Sequence, residues 1–526
     1  MIWIIGGVIG FICCVLIIYK VYKMVLRKQL LSQFGIYVES DMELELTKEY
    51  LKTMKDRDID EIVYNDLELD KVFKFINHTY TDVGKEYMYA QIFKSDIEPK
   101  KFEALISNWD DKDKLKKVLY ELHRLSKQYS ECLDLFTQMK TITSNDLIVM
   151  SSSFVVLLGI IGASFFVGFD ILLFVFLWFA GQMGLYSHLT TKTDDVMSKA
   201  FSYCELVHSL DVLSSFGIYS DDDNKRIKAM VDKAKKYTFL HRMCVTIEKV
   251  DIFYFMEFFK GMFFIPYYQC VILKKHKNEL MVDLFSMYKY IGVVDTSLSI
   301  YGLRMNCKTC IPQEISLPQL NFKDCYHPIL KEPVKNSFTT NESCIITGTN
   351  ASGKSTFLKT VGINMVMART FHTCFASEFD YYPFQLCSSI HMKDDLDSGD
   401  SYYVKEIKVM KHILDLSKEK VCLIFIDEIL RGTNEKERIA ISRAVLSQLF
   451  HSQSLVLVTT HDLDLVESFQ DIQQYCFHDD VKDNMLYCDY TIKKGICKVG
   501  NAIKLLEVHG YDKEILDQLK EAVTSK

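Results

Sequence analysis

The run Gly348-Thr-Asn-Ala-Ser-Gly-Lys-Ser355 restricts the fold of this chain more than any other segment, because it matches the pattern G-x-x-x-x-G-K-S. It follows a short apolar, β-rich run at 344–347 and precedes a stretch with helical character. Glycines let backbone N–H groups approach an anion, and the N-terminus of the next helix adds partial positive charge. A strand, a glycine-rich loop and a helix in this order predict a site for nucleotide phosphates.

Two further β-rich runs, 421–426 and 455–458, alternate with helical stretches in the C-terminal part. Short continuous apolar runs of this kind indicate a mainly parallel sheet that is buried on both faces. The sequence pattern instead predicts successive helices with charged faces over residues 20–146 and 187–310. The predicted architecture is therefore an α-helical core followed by an α/β P-loop nucleotide-binding domain over residues 314–526.

Three polar positions follow the predicted strands of the α/β domain. Asp427 and Glu428 end one strand, and His461 comes just after another. The carboxyl ends of parallel strands share one edge of the sheet, where the phosphate loop also lies. We expect Lys354 to reach the β- and γ-phosphates, Asp427 and Ser355 to hold Mg²⁺, and Glu428 to orient or activate the attacking water. His461 is expected to bond the γ-phosphate or that water, so the candidate catalytic residues are Lys354, Glu428 and His461.

The motifs of this domain resemble those of the MutS family of DNA mismatch-repair ATPases. The resemblance rests on four segments. Residues 348–356 are similar to the family's G-x-N-x-x-G-K-S-T, and residues 426–434 are similar to its I-D-E-x-x-R-G-T-S/N. Residues 459–461 are similar to its T-T-H, and residues 395–406 are similar to its D-x-x-x-G-x-S-T-F-x-x-E. One position departs from the pattern, since Tyr402 stands where the family usually has Thr. The resemblance implies a MutS/ABC-type ATPase domain that uses ATP and Mg²⁺.

The resemblance also implies a dimer that forms through the ATP sites. In the family, the loop equivalent to 395–406 crosses to the ATP of the partner, which makes Ser401 the candidate contact in trans. His327 lies in a run similar to the family's H-P-x-L and is assigned to the nucleotide site. The candidate nucleotide-binding residues are Gly348, Asn350, Gly353, Lys354, Ser355, Thr356, Ser401 in trans and His327, and the candidate Mg²⁺ ligands are Ser355 and Asp427.

The helical part carries a looser resemblance to the same family. Residues 77–84 are similar to the N-x-T-x-T-x-x-G that begins the family's helical core, and residues 291–298 are similar to the segment that ends it. The mismatch-reading domain of the family would precede this core, where the sequence has only an apolar segment. We therefore expect a MutS-like protein that lacks the mismatch-reading domain.

Two long apolar blocks predict membrane insertion. Residues 2–19 contain no charge, and residues 147–186 contain Asp170 as their only charge. About 20 apolar residues suffice for a helix to cross a bilayer, so these blocks predict an anchor within residues 1–28 and a transmembrane hairpin over 147–187. Lysines beside the blocks place the N-terminus outside and the ATPase domain in the cytoplasm, in a multi-pass protein with three spans. The alternatives are a cleaved signal and a buried helical hairpin.

The predicted domain order follows from these assignments. The helical core is divided by the hairpin into a first part, 29–146, and a second part, 188–313. The aromatic-rich stretch 253–273 is predicted to be a core helix with a break, or alternatively a segment on the membrane surface.

The function stays open between two classes. The first is a membrane-anchored, MutS-like ATPase that dimerises, contacts the lipid bilayer, and acts on DNA, as in mismatch repair, or on an unknown protein partner. The second is an ABC-type transport ATPase, or a membrane protein-remodelling ATPase, with no DNA role. The net charge of −7 argues against a constitutively basic nucleic-acid scaffold.

Overall fold

The computed structural model describes most of the chain. The described residues are 2–36, 49–54, 56–128, 132–139, 144–167, 173–241, 243, 262–349, 352–390, 402–430, 435–482 and 485–496, with 506, 510–512, 515, 516 and 518 near the C-terminus.

Helices make up the N-terminal part of the described chain. They are α1 Ile2–Gln33, α2 Glu49–Lys52, α3 Glu61–Asp66, α4 Leu69–Ile76, α5 Asp82–Phe93, α6 Pro99–Ile106, a 3₁₀ helix Ser107–Asp110, α7 Lys112–Gln128, α8 Leu135–Gln138, α9 Ser144–Val167, α10 Leu173–Ser214, α11 Asp221–Tyr237, α12 Ile265–Lys275 and α13 Lys277–Asn306. Most of their buried apolar side chains, among those described, belong to one core that also includes residues of the C-terminal part.

The two helical segments that resemble the family's core pack directly on each other. A Cβ atom added to Gly84 of α5 would lie 2.2 Å from Oδ2 of Asp295 in α13, and one added to Gly292 would lie 2.5 Å from Cβ of Tyr87. The buried Asp295 accepts hydrogen bonds from the N–H of Thr81 at 2.8 Å and from its hydroxyl at 2.6 Å. Glycine is therefore required at both crossing points, and residues more than 200 positions apart form one joint.

A buried charged network joins α7, α10 and residue 241. Glu205 contacts the guanidinium of Arg124, and its other carboxylate oxygen lies 2.8 Å from Nε2 of His241. Its side chain is fully buried. Burial would raise the pKa of Glu205, but the His241 hydrogen bond and the charge of Arg124 outweigh it and lower that pKa to about 2.

Glu205→Gln is expected to destabilise the fold at neutral pH. The folded-state pKa of about 2 lies below the ordinary 4.5. The carboxylate therefore stabilises the fold above pH 4.5, by about 3 kcal/mol, and this stabilisation is lost as the pH falls toward 2. Urea unfolding at several pH values should show the gap between variant and parent closing over that range. Asp56→Asn, at a side chain that is 83% exposed, is the control, and an equal loss there would contradict the assignment.

The C-terminal part contains two sheets with helices between the strands. The strands are β1 Gln313–Glu314, β2 Leu320–Cys325, β3 Asn336–Thr340, β4 Cys344–Thr347, β5 Glu378–Tyr381, β6 Gln385–Ser389, β7 Cys422–Asp427, β8 Leu455–Thr460, β9 Gln473–Lys482 and β10 Met485–Lys494. The helices are α14 Lys354–Phe371, α15 Tyr402–Glu419, α16 Glu435–Phe450 and α17 Leu463–Glu467.

The larger sheet positions the candidate site. Its strand order is β10-β9-β4-β8-β7-β6, with β10 antiparallel to β9 and the other neighbours parallel. Every residue of β4, β7 and β8 is buried, which explains their unbroken apolar character. The smaller sheet has the order β1-β5-β2-β3. The carboxyl ends of β4, β7 and β8 therefore lie side by side.

Polar contacts dock the helical part onto this domain. Oδ2 of Asp66, at the end of α3, accepts hydrogen bonds from the Ser388 hydroxyl at 2.7 Å and from the Ile390 N–H at 2.9 Å. Arg304, near the end of α13, donates to the Thr373 hydroxyl just beyond α14 at 3.0 Å. The helical part is thus tied to β6 and to the segment that follows α14.

The predicted membrane spans are wrong. Within the residues that the structure describes, no helix has both the length and the apolar character needed to cross a membrane. This finding overturns the fold class with transmembrane helices, the anchor within 1–28, the hairpin over 147–187 and the multi-pass membrane localisation, and the lipid bilayer is no longer a supported partner.

Protein packing accounts for part of the second apolar block. Its helices, α9 and α10, lie against each other, and Nε1 of Trp178 donates to the Ser153 carbonyl at 2.7 Å. Met150 and Gln182 are buried, and α10 then runs on to Glu205 in the charged network of the core. Hydropathy summed along a sequence counts apolar residues without distinguishing a lipid neighbour from a protein neighbour.

Candidate functional site

The phosphate loop connects β4 to α14 and needs glycine at both of its described glycine positions. Gly348 has φ +152° and Gly353 has φ +105°. A Cβ atom on Gly348 would lie 2.7 Å from the Ser352 hydroxyl oxygen and 3.0 Å from the carbonyl oxygen of Phe477. The backbone is therefore free to come close to a ligand at the N-terminus of α14.

The side chain of Lys354 folds back over this loop. It is only 5% exposed, and Nζ donates to the carbonyl oxygens of Gly348 and Thr349, each at 2.7 Å. These contacts keep the ammonium group at the loop instead of in solvent. A compact cation held there is suited to phosphate oxygens.

Ser355 and Asp427 meet although they are 72 residues apart. The Ser355 hydroxyl donates to Oδ2 of Asp427 at 2.6 Å. Thr459 lies opposite Asp427 in the register of β7 and β8, and its hydroxyl donates to Oδ1 of the same carboxylate. Hydroxyl and carboxylate oxygens are the ligands that Mg²⁺ prefers, so the residues present fit this ion.

Glu428 and His461 lie beside this pair at the same edge. Oε1 of Glu428 is 3.0 Å from Nδ1 of His461. The Glu428 side chain is 14% exposed, whereas that of His461 is 50% exposed. Glu428 has a left-handed backbone, with φ +57°, and its N–H donates to the Thr459 carbonyl at 3.1 Å. The structure thus brings together the carboxylate and the imidazole that the sequence placed after separate strands.

A cavity of about 170 Å³ opens next to the loop. Its lining includes His327, Gly353, Thr356 and Tyr490. Burial, helped by the charge of Lys359, lowers the pKa of His327 to about 4, so its imidazole is neutral at pH 7. The Tyr490 ring approaches the phosphate loop, with Cδ1 only 3.1 Å from where a Cβ atom on Gly353 would stand. Two flat rings therefore line the space beside the loop.

Sequence reasoning did not find Tyr490 or the residue that holds it. Tyr490 lies at an irregularity in the pairing of β10 with β9 and has φ +52°. Nδ2 of Asn336 donates to the Tyr490 carbonyl at 3.0 Å, and the Ile492 N–H donates to Oδ1 of Asn336 at 2.8 Å. No local motif surrounds either residue, so only the pairing of distant strands shows their relation.

Comparison with known proteins gives matches to the part of the chain that contains this site. Residues 344–525 match the sequence model of MutS domain V. This part of the chain is similar to members of the MutS family. The chain is 30% identical over 281 residues to MutS protein homolog 4 of Mus musculus, covering 48% of this chain and 28% of that protein. It is 29% identical over 279 residues to the Homo sapiens protein of that name, covering 48% and 29%.

A bacterial relative shows the same extent of similarity. The DNA mismatch repair protein MutS of Thermotoga sp. (strain RQ2) is 26% identical over 263 residues, covering 48% of this chain and 32% of that protein. The chain thus spans about a third or less of the length of the relatives it matches.

The MutS domain V region contains the phosphate loop, the Asp427–Glu428 pair and His461, whereas His327 precedes it. Two residues assigned to the nucleotide site, Asn350 and Ser401, lie outside the described residues. Their contacts stay predictions. The role of the 395–406 motif also stays a prediction, since the structure describes only its residues 402–406.

Proposed function

We propose that this chain is a MutS-like ATPase that binds ATP and Mg²⁺ at the edge of its larger sheet and hydrolyses ATP there. The observation that carries this proposal is the convergence of Lys354, the Ser355–Asp427 pair and the Glu428–His461 pair at the carboxyl ends of three neighbouring strands. The match to MutS domain V supports the same reading.

Each side chain has a defined part in the proposed reaction. The loop N–H groups and Lys354 would hold the phosphates, and Ser355 and Asp427 would hold Mg²⁺, which would neutralise charge on the phosphate oxygens. The Glu428 carboxylate accepts a hydrogen bond from the attacking water and takes its proton. His461, 3.0 Å from Glu428, fixes the direction of that carboxylate.

The cavity beside the loop is the proposed site of the nucleobase. His327 and Tyr490 both line it, and the neutral imidazole and the phenol ring offer flat surfaces to an aromatic base. The position of Tyr490 beside Gly353 places this surface next to the phosphate loop, as a single nucleotide requires.

We further propose that two copies meet through their ATP sites, with Ser401 reaching the nucleotide of the partner. The resemblance of residues 395–406 to the family's trans-acting motif supports this step. ATP would then close the dimer, and hydrolysis would reopen it. The target proposed for this motion is DNA, because one relative is named a DNA mismatch repair protein.

A DNA titration tests the target. Mismatched duplex, matched duplex and single-stranded DNA are titrated at 50 and 200 mM salt, with and without ATP. We expect duplex binding that responds to ATP and weakens about 10-fold or more at the higher salt, because phosphate contacts release counterions. Lys354→Ala is the control for the ATP response. Absence of binding to all three DNAs at 50 mM salt, in a preparation that hydrolyses ATP, would remove the DNA role and leave a protein target.

A further inference from the structure

The turn that follows β7 holds Glu428 in an unusual backbone conformation. Both Glu428 and Leu430 have φ +57°, a backbone conformation that residues other than glycine rarely adopt. The N–H of Glu428 is fixed by the Thr459 carbonyl at 3.1 Å, which anchors the start of the turn to β8. A second anchor is needed at the other end, because an unrestrained turn would relax to ordinary φ values.

Glu406 supplies this second anchor. Its Oε1 accepts a hydrogen bond from the N–H of Leu430 at 2.5 Å. Glu406 lies on α15 and is only 3% exposed, and Leu430 is 1% exposed. A hydrogen bond from a backbone amide to a buried carboxylate is short and strong, and competing water is excluded there.

Apolar packing holds both partners of this bond in place. Met410 and Ile413, one and two turns further along α15, are buried in the same cluster as Ile429 and Leu430. This shared cluster packs α15 against the turn, where the Glu406 side chain meets the Leu430 N–H. The position of Glu428 is therefore set from two elements that are distant in sequence.

We propose that Glu406 is a positioning residue for the ATPase reaction, one that aims the Glu428 carboxylate by holding the backbone two residues beyond it. This inference rests on the proposed ATPase function. Without the acceptor at Oε1, the turn relaxes and the Glu428 carboxylate leaves its position 3.0 Å from His461. Lys354 and the phosphate loop are untouched by that change, so ATP binding is retained while turnover falls.

The test compares Glu406→Ala with Glu406→Gln, because glutamine keeps an oxygen acceptor for the Leu430 N–H and alanine does not. Hydrogen exchange of the peptide that contains residues 428–430 is measured without nucleotide, and kcat and KM for ATP are measured separately. For Glu406→Ala we expect exchange at least 10-fold faster, kcat about 10- to 100-fold lower and KM within threefold of the parent. Glu406→Gln is expected to restore both readouts to within about threefold.

Glu419→Ala on the same helix is the matched control, since that side chain is exposed. Unchanged exchange and unchanged kcat in Glu406→Ala would overturn the proposal, as would a Glu406→Gln variant as impaired as the alanine variant. If Glu406→Ala does not fold, Glu406→Asp is the deciding variant. Aspartate keeps the negative charge, but its shorter side chain moves the carboxylate oxygens away from the Leu430 N–H. An Asp variant with the exchange rate and kcat of the parent would overturn the proposal. If the parent protein hydrolyses no ATP, the ATPase proposal fails, while the exchange result still decides whether Glu406 holds the turn.

Discussion

Lys354→Ala is expected to abolish ATP turnover and to lower ATP affinity by about 100-fold or more. The ammonium group is the buried cation of the phosphate loop and lies 2.7 Å from two loop carbonyl oxygens. Its removal would delete the charge-assisted hydrogen bonds to phosphate that we propose, together with those that Nζ donates to the two loop carbonyls. A 100-fold loss corresponds to about 3 kcal/mol, the size expected for such contacts.

Equilibrium binding of a fluorescent ATP analogue and phosphate release are the two measurements. Lys411→Ala is the control, since that lysine is 66% exposed and pairs with Asp415 on the surface of α15. Circular dichroism establishes that both variants are folded. If Lys354→Ala binds ATP as tightly as the control does, the assignment of the loop to ATP is wrong.

Glu428→Gln is expected to stop hydrolysis while ATP stays bound. The amide has the shape of the carboxylate but cannot take the proton of the attacking water, so kcat should fall about 100- to 1,000-fold with ATP affinity within a few fold of the parent. Because the reopening step requires hydrolysis, an ATP-bound dimer should accumulate. Light scattering after size-exclusion chromatography, with ATP or ADP and Mg²⁺ in the buffer, measures that dimer.

Two controls separate the parts of this prediction. Adding Lys354→Ala to Glu428→Gln should prevent the trapped dimer, because ATP no longer binds. Glu419→Gln, at an exposed position on α15, should leave kcat and the oligomeric state unchanged. A Glu428→Gln protein that binds ATP yet stays monomeric argues against shared ATP sites, whereas an unchanged kcat argues against Glu428 as the base.

Much of the nucleotide site follows from short segments of sequence. The loop pattern needs glycines within eight neighbouring residues, and buried strands deliver Asp427, Glu428 and His461 at their carboxyl ends. The structure places these side chains at one edge, as the order of strands and helices indicates. Their chemical roles stay proposals that the variants above test.

The rest of the site depends on contacts that no local pattern contains. Asn336 and Tyr490 are 154 residues apart and meet only because β10 runs past β3. Glu406 and Leu430 are 24 residues apart and meet because α15 packs beside β7. The contact between Trp178 and the Ser153 carbonyl in the second apolar block likewise joins two helices, and composition alone does not show it.

The sequence by itself determined the kind of ligand that we propose for this chain, because phosphate binding depends on backbone φ angles and on a lysine within one short loop. Only the tertiary structure decided how the carboxylate of Glu428 is aimed and what lies beside the loop. Those features come from side chains on separate strands and helices, and their distances are set by packing across the whole domain.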